Sequence, residues 1–241
     1  STLWFLAQNT LANELIQQES GRPQLILPKS YHKGLSVKNW SMSEKLDGVR
    51  AYWDGQALYS RSGRRFAAPQ WFTKGFPNYE LDGELWTKRG DFEHIVSIVN
   101  RQNPHNGWQQ ITYEIFEVPN APGNFPERLK RIKSWQQEQP SPYIHIIPQQ
   151  TCTGQSHLQS FLNEVEQKGG EGVVIRNPNL PYHTGRSAMS LKVKSFQDAE
   201  CQVSGYKAGR GKFIGMTGAL YCQMEDQRVI TIGSGLSNEE R

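Results

Sequence analysis

Alternating apolar and polar residues dominate the chain from about residue 40 onward, and this pattern predicts short β-strands. Asp54-Gly55 is expected to form a two-residue hairpin turn between two of them, because glycine tolerates a positive φ. The strands predicted in the first 195 residues are Ser43–Leu46, Val49–Trp53, Ala57–Ser60, Tyr79–Leu85, Ile111–Val118, Gly172–Arg176 and Ser190–Lys194.

Helical periodicity interrupts these strands at three places. A helix from Asp91 to about Asn100 has its apolar residues on one face, and a second at Pro126–Gln137 has proline in its first turn. A third, at Ser156–Lys168, is expected to be capped by Ser156 and ended by two glycines. The lead-in before residue 40 contains one more short helical stripe, made by Leu3, Leu6, Leu11 and Leu15.

The pattern changes after Ser195, where glycines become frequent and helical periodicity disappears. Three strands are predicted there, at Cys201–Lys207, Gly218–Met224 and Val229–Ile232. We therefore place a domain boundary near residues 195–198. The expected fold is an α+β domain of mixed sheets followed by a small all-β domain.

Composition narrows the function only slightly. The 241 residues are 36% hydrophobic and 21% charged, with a net charge of +4, and we expect a globular protein with no membrane partner. A mildly basic chain is compatible with nucleic acid but does not require it. The three cysteines, Cys152, Cys201 and Cys222, lack zinc-ligand spacing. Either all three are free thiols, or Cys201 and Cys222 bridge neighbouring strands in an oxidising compartment.

The strongest chemical signal is Glu44-Lys45-Leu46-Asp47-Gly48-Val49-Arg50. It places a lysine at the end of a predicted strand, directly before a glycine turn, where the side chain can enter a cleft. A lysine becomes a nucleophile only after it loses its proton, which a desolvated or cationic environment favours. Taken alone, the motif is equally compatible with a surface lysine beside a turn.

Further polar residues lie within the predicted strands downstream. Lys192 and Lys194 alternate along one strand and so project from the same face, as a pair of cations suited to a phosphate. Glu84 and Glu171 add carboxylates, which together with the lysines suggest a site for Mg²⁺ and nucleotide phosphates. The blocks are Ser60-Arg61-Ser62-Gly63, Leu81-Asp82-Gly83-Glu84-Leu85, Tyr113–Val118, Glu171–Arg176 and Leu191-Lys192-Val193-Lys194.

These blocks, in this order over residues 41–195, resemble the covalent nucleotidyltransferases, the superfamily of DNA ligases, RNA ligases and mRNA capping enzymes. The resemblance implies that Lys45 attacks the α-phosphate of ATP and carries AMP. It implies that Arg50 and Arg61 contact the nucleotide and the 5′-phosphate of a nick, and that Lys192 and Lys194 contact the α-phosphate.

The same resemblance assigns the remaining site residues. Glu84 is similar to the glutamate that contacts the ribose or a metal-bound water, and Phe116 to the ring that stacks on adenine. Glu171 resembles the carboxylate that positions the catalytic metal. The implied cofactors are ATP and Mg²⁺ or Mn²⁺, with Glu44 among the residues of the cofactor site and Glu84 and Glu171 as metal ligands.

Within the superfamily, the chain looks like the minimal bacterial ATP-dependent DNA ligases of the E type. This implies an adenylation (nucleotidyltransferase) domain of mixed antiparallel sheets with flanking helices at 1–195, with a short N-terminal lead-in, and a small all-β OB-fold domain at 196–241. An OB domain has five strands. Only three are visible, and the basic motif that other ligases carry near the C-terminus is not, so the OB domain is expected to be incomplete.

The implied partner is nicked double-stranded DNA, bound by a monomer. No extra N-terminal module like that of NAD-dependent ligases is visible, which favours ATP. Basic residues near predicted turns are the candidate DNA contacts. They are Arg61, Arg64, Arg65, Lys207, Arg210 and Lys212.

Three alternatives stay open on sequence alone. The first is an RNA ligase or a GTP-dependent capping enzyme. The second is a non-catalytic nucleic-acid-binding module that keeps the fold, and the third a nucleotide-binding protein without a covalent step. A role in DNA repair or replication is not distinguished. Similar minimal ligases have a leader, and this chain begins with Ser1 rather than methionine. We therefore expect a periplasmic enzyme, with the cytoplasm as the alternative.

Overall fold

The computed structural model describes residues 22–32, 34–195, 201–224, 227–233 and 236–237. The chain divides into two compact units, Ser1–Ser195 and Phe196–Arg241, which are described separately. The helix predicted on Leu3 to Leu15 lies outside the described residues. Within the described ranges, no helix combines the length and the apolar character that crossing a bilayer requires.

The first unit contains two five-stranded sheets, and its described helices lie between their strands in sequence. In chain order the elements are β1 (Ile26–Ser30), β2 (Ser41–Lys45), β3 (Val49–Trp53), β4 (Leu58–Ser60), α1 (Gln70–Thr73), β5 (Leu81–Trp86), α2 (Phe92–Val99), a 3-10 helix (Asn106–Gln110), β6 (Thr112–Glu117), α3 (Phe125–Glu138), β7 (Ile144–Ile146), β8 (Gln150–Thr151), α4 (Gln155–Gln167), β9 (Gly172–Arg176) and β10 (Gly185–Val193).

Sheet 1 has the strand order β1-β10-β9-β2-β8, in which only the β1–β10 pair is parallel. One face of this sheet is apolar and packs against α4. Met42, Val173 and Ile175 lie in a buried cluster with Leu158 and Leu162 of that helix. Because side chains alternate along a strand, the neighbours of these residues, including Lys45, project from the opposite face.

Sheet 2 has the strand order β4-β3-β5-β6-β7 and likewise buries one face. Its core brings the strand residues Leu85 and Ile115 together with Ile95 of α2 and Ile132 of α3. Each sheet therefore has its own hydrophobic core on its outer side. The polar faces of the two sheets meet, as shown by the hydrogen bond of 2.8 Å from Arg50 Nη2 in β3 to the carbonyl oxygen of Ile26 in β1.

The mixed α+β architecture predicted from sequence is confirmed, and several local predictions need correction. Asp54 to Ala57 form a four-residue loop rather than a two-residue turn, and the Asp54 carboxylate accepts the N–H groups of Gln56 and Ala57. Helix α4 begins at Gln155 after Gly154, so Ser156 is not its cap. Short strands β1, β7 and β8 were not predicted.

A β-bulge distorts the β5–β6 ladder beside the polar face of sheet 2. Gly83 pairs with Ile115 and the preceding Asp82 pairs with Glu117, so Phe116 is the extra residue. Residues that pair directly share a face. The bulge therefore moves Glu117 from the core face, where simple alternation with Ile115 would place it, to the polar face that Asp82 occupies.

The second unit is a small antiparallel sheet in the order β11-β12-β13, as the three predicted strands indicate. Its strands are β11 (Cys201–Ala208), β12 (Thr217–Met224) and β13 (Val229–Ile232), with a 3-10 turn at Gly211–Phe213. Cys201 and Cys222 form a disulfide between the first two strands. Cys152, in the first unit, is a buried free thiol. This answers the question that the sequence left open.

Candidate active site

The chain crosses from sheet 1 to sheet 2 within the Lys45–Arg50 motif. Lys45 is the last residue of β2, and β3 begins at Val49. Gly48 makes the crossing narrow: a Cβ on it would lie 2.3 Å from the carbonyl oxygen of Leu85 and 2.9 Å from Cγ of Glu84. The Gly48 N–H donates to Glu84 Oε1 at 3.2 Å. The glycine thus brings the end of the lysine strand against β5.

Glu171 bridges two of the predicted lysines. Its Oε2 lies 2.7 Å from Nζ of Lys45, and its Oε1 lies 2.5 Å from Nζ of Lys194. The side chains are 21%, 27% and 14% exposed, respectively, so the group is reachable but shielded. Glu44 pairs with Val173 on the outer face of sheet 1, and Lys192 pairs with the next residue of β9, Val174. Because side chains alternate along a strand, Lys192 lies on the opposite face from Glu44, which is the face of Lys45.

Arg50 faces these groups from sheet 2. Its guanidinium makes a bidentate pair with Asp82, with N–O distances of 3.0 and 2.7 Å, and lies 5.2 Å from the ring centroid of Phe116. The Asp82 carboxyl is fully buried, and its burial raises its pKa while Arg50 opposes the shift. Arg50 is therefore fixed by protein contacts on one side and by an aromatic ring on the other.

Glu84 pairs directly with Arg50 across the β3–β5 ladder. Its burial raises the pKa of its carboxyl from 4.5 to about 8, against the opposing effects of Lys45, Arg50 and the Gly48 N–H. Without a ligand, this side chain is mostly neutral near pH 7 and can donate a hydrogen bond. A bound cation would favour its charged form.

The cleft between the polar faces of the two sheets therefore combines a nucleophile candidate, a carboxylate that bridges two ammonium groups, a neutral acid and an aromatic ring.

Two protein-family models match most of the chain. Residues 27–194 match the family model of the ATP-dependent DNA ligase domain, and residues 208–241 match that of the DNA ligase OB-like domain. The first match alone spans more than half of the chain.

The chain belongs to the ATP-dependent DNA ligase family.

Individual ligases agree with this assignment. The DNA ligase of Haemophilus influenzae is 43% identical over 205 residues, which are 85% of this chain and 76% of that protein. A solved Lig E DNA ligase has a TM-score of 0.71 and 37% identity over 91% of this chain and 87% of its own. The Chlorella virus DNA ligase–adenylate shares the fold, with a TM-score of 0.60 and 21% identity over 91% and 87% of the two chains.

The structure separates Glu44 from the other predicted residues of the ligase site. Glu44 follows Met42 by two positions and therefore lies on the outer face of sheet 1, not on the cleft face with Lys45. Both of its carboxylate oxygens accept hydrogen bonds from Arg89, at 2.8 and 2.7 Å. Its side chain is thus turned away from Lys45, and its place in the cofactor site stays a prediction.

The predicted DNA contacts of the ligase fall in two exposed groups. Arg61, Arg64 and Arg65 lie in and beside the turn after β4, and the guanidinium of Arg64 lies 5.1 Å from the Phe66 ring centroid. The second group is in the small all-β unit: Lys207 in β11, and Arg210 and Lys212 in the connection to β12. These six assignments stay predictions.

Five charged residues that are buried in the described part of the ligase received no role in the sequence analysis. They are Asp82, Glu114, Glu117, Arg128 and Arg176. Asp82 and Arg176 lie within motifs that the sequence singled out for Glu84 and Glu171. Both are charged residues that come directly after an apolar residue within a predicted strand. That pattern could have identified Asp82 and Arg176 as buried charges.

Proposed function

We propose that this ligase seals nicks in duplex DNA through a lysyl-AMP on Lys45 and an AMP-capped 5′-phosphate on the DNA. The observation that carries the proposal is the Lys45–Glu171–Lys194 group at the point where the chain crosses between the sheets. It holds a lysine amine, which can act as a nucleophile, beside a carboxylate and a second cation in a shielded cleft.

In the first step, Nζ of Lys45 releases a proton and attacks the α-phosphorus of ATP. The bond to the bridging oxygen breaks, and pyrophosphate leaves. In the second step, the 5′-phosphate oxygen of the nick attacks the same phosphorus and frees the lysine. In the third, the 3′-hydroxyl loses its proton to solvent, attacks the 5′-phosphorus of the capped strand and releases AMP.

Each step concentrates negative charge on a transferring phosphoryl group. Lys192 and Lys194 face that charge from sheet 1, and Arg50 faces it from sheet 2. Cations held in place before the reaction stabilise such charge without reorganising. Because Lys194 is anchored to Glu171 at 2.5 Å, it is already placed in the cleft before a nucleotide enters.

We propose Mg²⁺ or Mn²⁺ as the second cofactor, with Glu171 and Glu84 as its protein ligands. Magnesium sites in nucleotide enzymes use one or two carboxylates and complete their shell with phosphates and water. The two carboxylates on the cleft face fit that requirement. They are too few for an all-protein site, and no cluster of three or more His, Cys, Asp or Glu ligands occurs in the described part of the chain. A bound ion would neutralise phosphate charge.

We propose that the enzyme acts as a monomer on nicked duplex DNA in an oxidising compartment such as the periplasm. The Cys201–Cys222 disulfide supports that compartment, because disulfides are rare where thiols are kept reduced. The exposed basic residues of both units support a polyanionic partner.

The test combines α-labelled ATP, MgCl₂ and a nicked duplex, with lysyl-AMP and joined product followed together. Lys45→Ala should abolish both. Lys168→Ala, which removes an exposed lysine paired with Glu164 on α4, is the matched control and should leave both unchanged. Covalent labelling retained by Lys45→Ala would refute the assignment. GTP and single-stranded RNA, used in parallel, separate a ligase of DNA from capping enzymes and RNA ligases.

A further inference from the structure

Among the described residues of the first unit, the two sheets bury their apolar faces in two separate clusters. The apolar face of sheet 1 packs on α4, and that of sheet 2 packs on α2 and α3. The nucleotide cleft lies between the polar faces. Its width is therefore set by polar contacts that span the two sheets, and by the short Leu46–Gly48 crossing.

Glu117 makes the most deeply buried of these contacts. Its side chain is inaccessible to solvent, and it accepts hydrogen bonds from arginines on two other elements and from the backbone N–H of the next residue. Arg128 of α3 donates from Nε at 2.7 Å and from Nη2 at 3.0 Å. Arg176 of β9 donates from Nη1 at 2.5 Å, and the N–H of Val118 donates at 2.9 Å.

The bulge at Phe116 makes this contact possible. It turns Glu117 to the cleft face, where its carboxylate stands opposite that of Asp82 on the neighbouring strand. Like charges that pair directly are unfavourable. Arg50 compensates Asp82, while Arg128 and Arg176 compensate Glu117.

Arg128 and Arg176 also make contacts with residues other than Glu117. Nη1 of Arg128 donates to the carbonyl oxygens of Gly123 and Leu180, at 3.0 and 3.1 Å. The guanidinium of Arg176 lies 4.4 Å from the ring centroid of Phe125. The Glu117 carboxylate thus links β6 of sheet 2 to β9 of sheet 1.

We propose that Glu117 is a positioning residue for adenylation: by joining Arg128 and Arg176, it sets the gap between Phe116 and sheet 1 into which the nucleoside of ATP enters. The residue that precedes it, Phe116, is the ring assigned to the base, and the strand it ties, β9, begins directly after Glu171. A shift at Glu117 therefore moves both walls of the cleft. This inference rests on the proposed adenylation reaction.

A buried ion pair is weak evidence for stability, because well-packed apolar residues often replace it without loss. A role in stability alone predicts a variant that melts earlier but binds ATP normally once folded. A role in setting the gap predicts weaker ATP binding by folded protein. The Michaelis constant for ATP separates these two roles.

The experiment compares Glu117→Gln with wild type in single-turnover formation of lysyl-AMP, well below the melting temperature of both. Glutamine keeps the shape and removes the charge that holds the two arginines. We expect the KM for ATP to rise about tenfold while the maximal rate changes by less than about threefold, the pattern of lost ground-state binding. A KM within twofold of wild type would overturn the inference.

Glu127→Ala is the matched control for stability. Glu127 lies next to Arg128 and accepts the Asn124 N–H in the capping box of α3, but it makes no described contact with sheet 1. Its loss should lower the melting temperature and leave the KM for ATP unchanged. An equal rise in KM in this control would also overturn the inference, because destabilised α3 would then explain it.

If Glu117→Gln does not fold, Arg128→Lys is measured instead, and its KM for ATP is judged in the same way. Lysine keeps the positive charge but cannot donate to both carboxylate oxygens of Glu117 at once.

Failure of the inference is distinct from failure of the proposed function. If wild-type protein makes no lysyl-AMP, the proposed function is wrong. If it does and neither variant changes KM, only the inference is wrong.

Discussion

Replacing Gly48 by alanine tests the claim that the lysine motif needs glycine for space. Gly48 is not among the residues with a positive φ, so alanine has no backbone penalty there. The added Cβ would lie 2.3 Å from the carbonyl oxygen of Leu85, whereas ordinary contacts begin at 3.4 Å. The crossing segment and β5 must therefore separate by about 1 Å to accommodate one methyl group.

That separation falls between Lys45 and Glu84, on either side of the cleft. A misplacement of about 1 Å reduces rates by about 100-fold, which corresponds to about 2.7 kcal/mol of activation free energy. We expect Gly48→Ala to form lysyl-AMP about 100-fold more slowly than wild type in single turnover. Circular dichroism should show that the variant remains folded.

Gly205→Ala is the control, since a Cβ at that position meets its nearest neighbour at 3.4 Å, an ordinary contact. It should adenylate at the wild-type rate. Adenylation by Gly48→Ala within threefold of wild type would show that the crossing yields without disturbing the site. The steric explanation of the motif would then be wrong.

Three further predictions concern charge and covalent links. The folded state holds the proton of Glu84 more tightly than the unfolded chain, so the stability that this proton contributes is complete below about pH 4.5 and is lost progressively up to about pH 8. In EDTA without nucleotide, the melting temperature should therefore fall between about pH 5 and 8 and level off above that range, and equal falls for wild type and Glu84→Gln would contradict this. Reduction of the Cys201–Cys222 disulfide should destabilise the second unit by on the order of 3 kcal/mol, measured by denaturant unfolding, while Cys201→Ser should be insensitive to reductant. Lys194→Met should slow lysyl-AMP formation about 100-fold with little change in melting temperature, and a wild-type rate would remove Lys194 from the reaction.

Site residues that lie close together in the chain could be predicted from the sequence. The lysine, the glycine and the arginine of Lys45–Arg50 follow one another, so their order along the chain fixes their order in space across the sheet-to-sheet crossing. Two strands, Val49–Trp53 and Gly172–Arg176, were predicted with the bounds that the structure shows.

Features that depend on distant pairing were not predictable. Strand β1 contains Pro28 and gains its partner from residues more than 150 positions away. The pair between Glu117 and Arg176 spans 59 residues. The bulge at Phe116 also reverses the face that simple alternation assigns to Glu117. Local periodicity carries no information on any of these, because each depends on which strands become neighbours.

The separation of the hydrophobic cores has a consequence for folding cooperativity. Two sheets that each bury their own apolar face can open partly as independent units, and proteins with such subdivisions show distinct groups of amide exchange rates. A ligand that contacts both sheets adds to the coupling that the polar contacts between the sheets already provide. In the free enzyme, the amides of the two sheets should therefore exchange as two groups with different rates. With nucleotide bound, they should exchange as one group, because the two sheets then unfold more cooperatively.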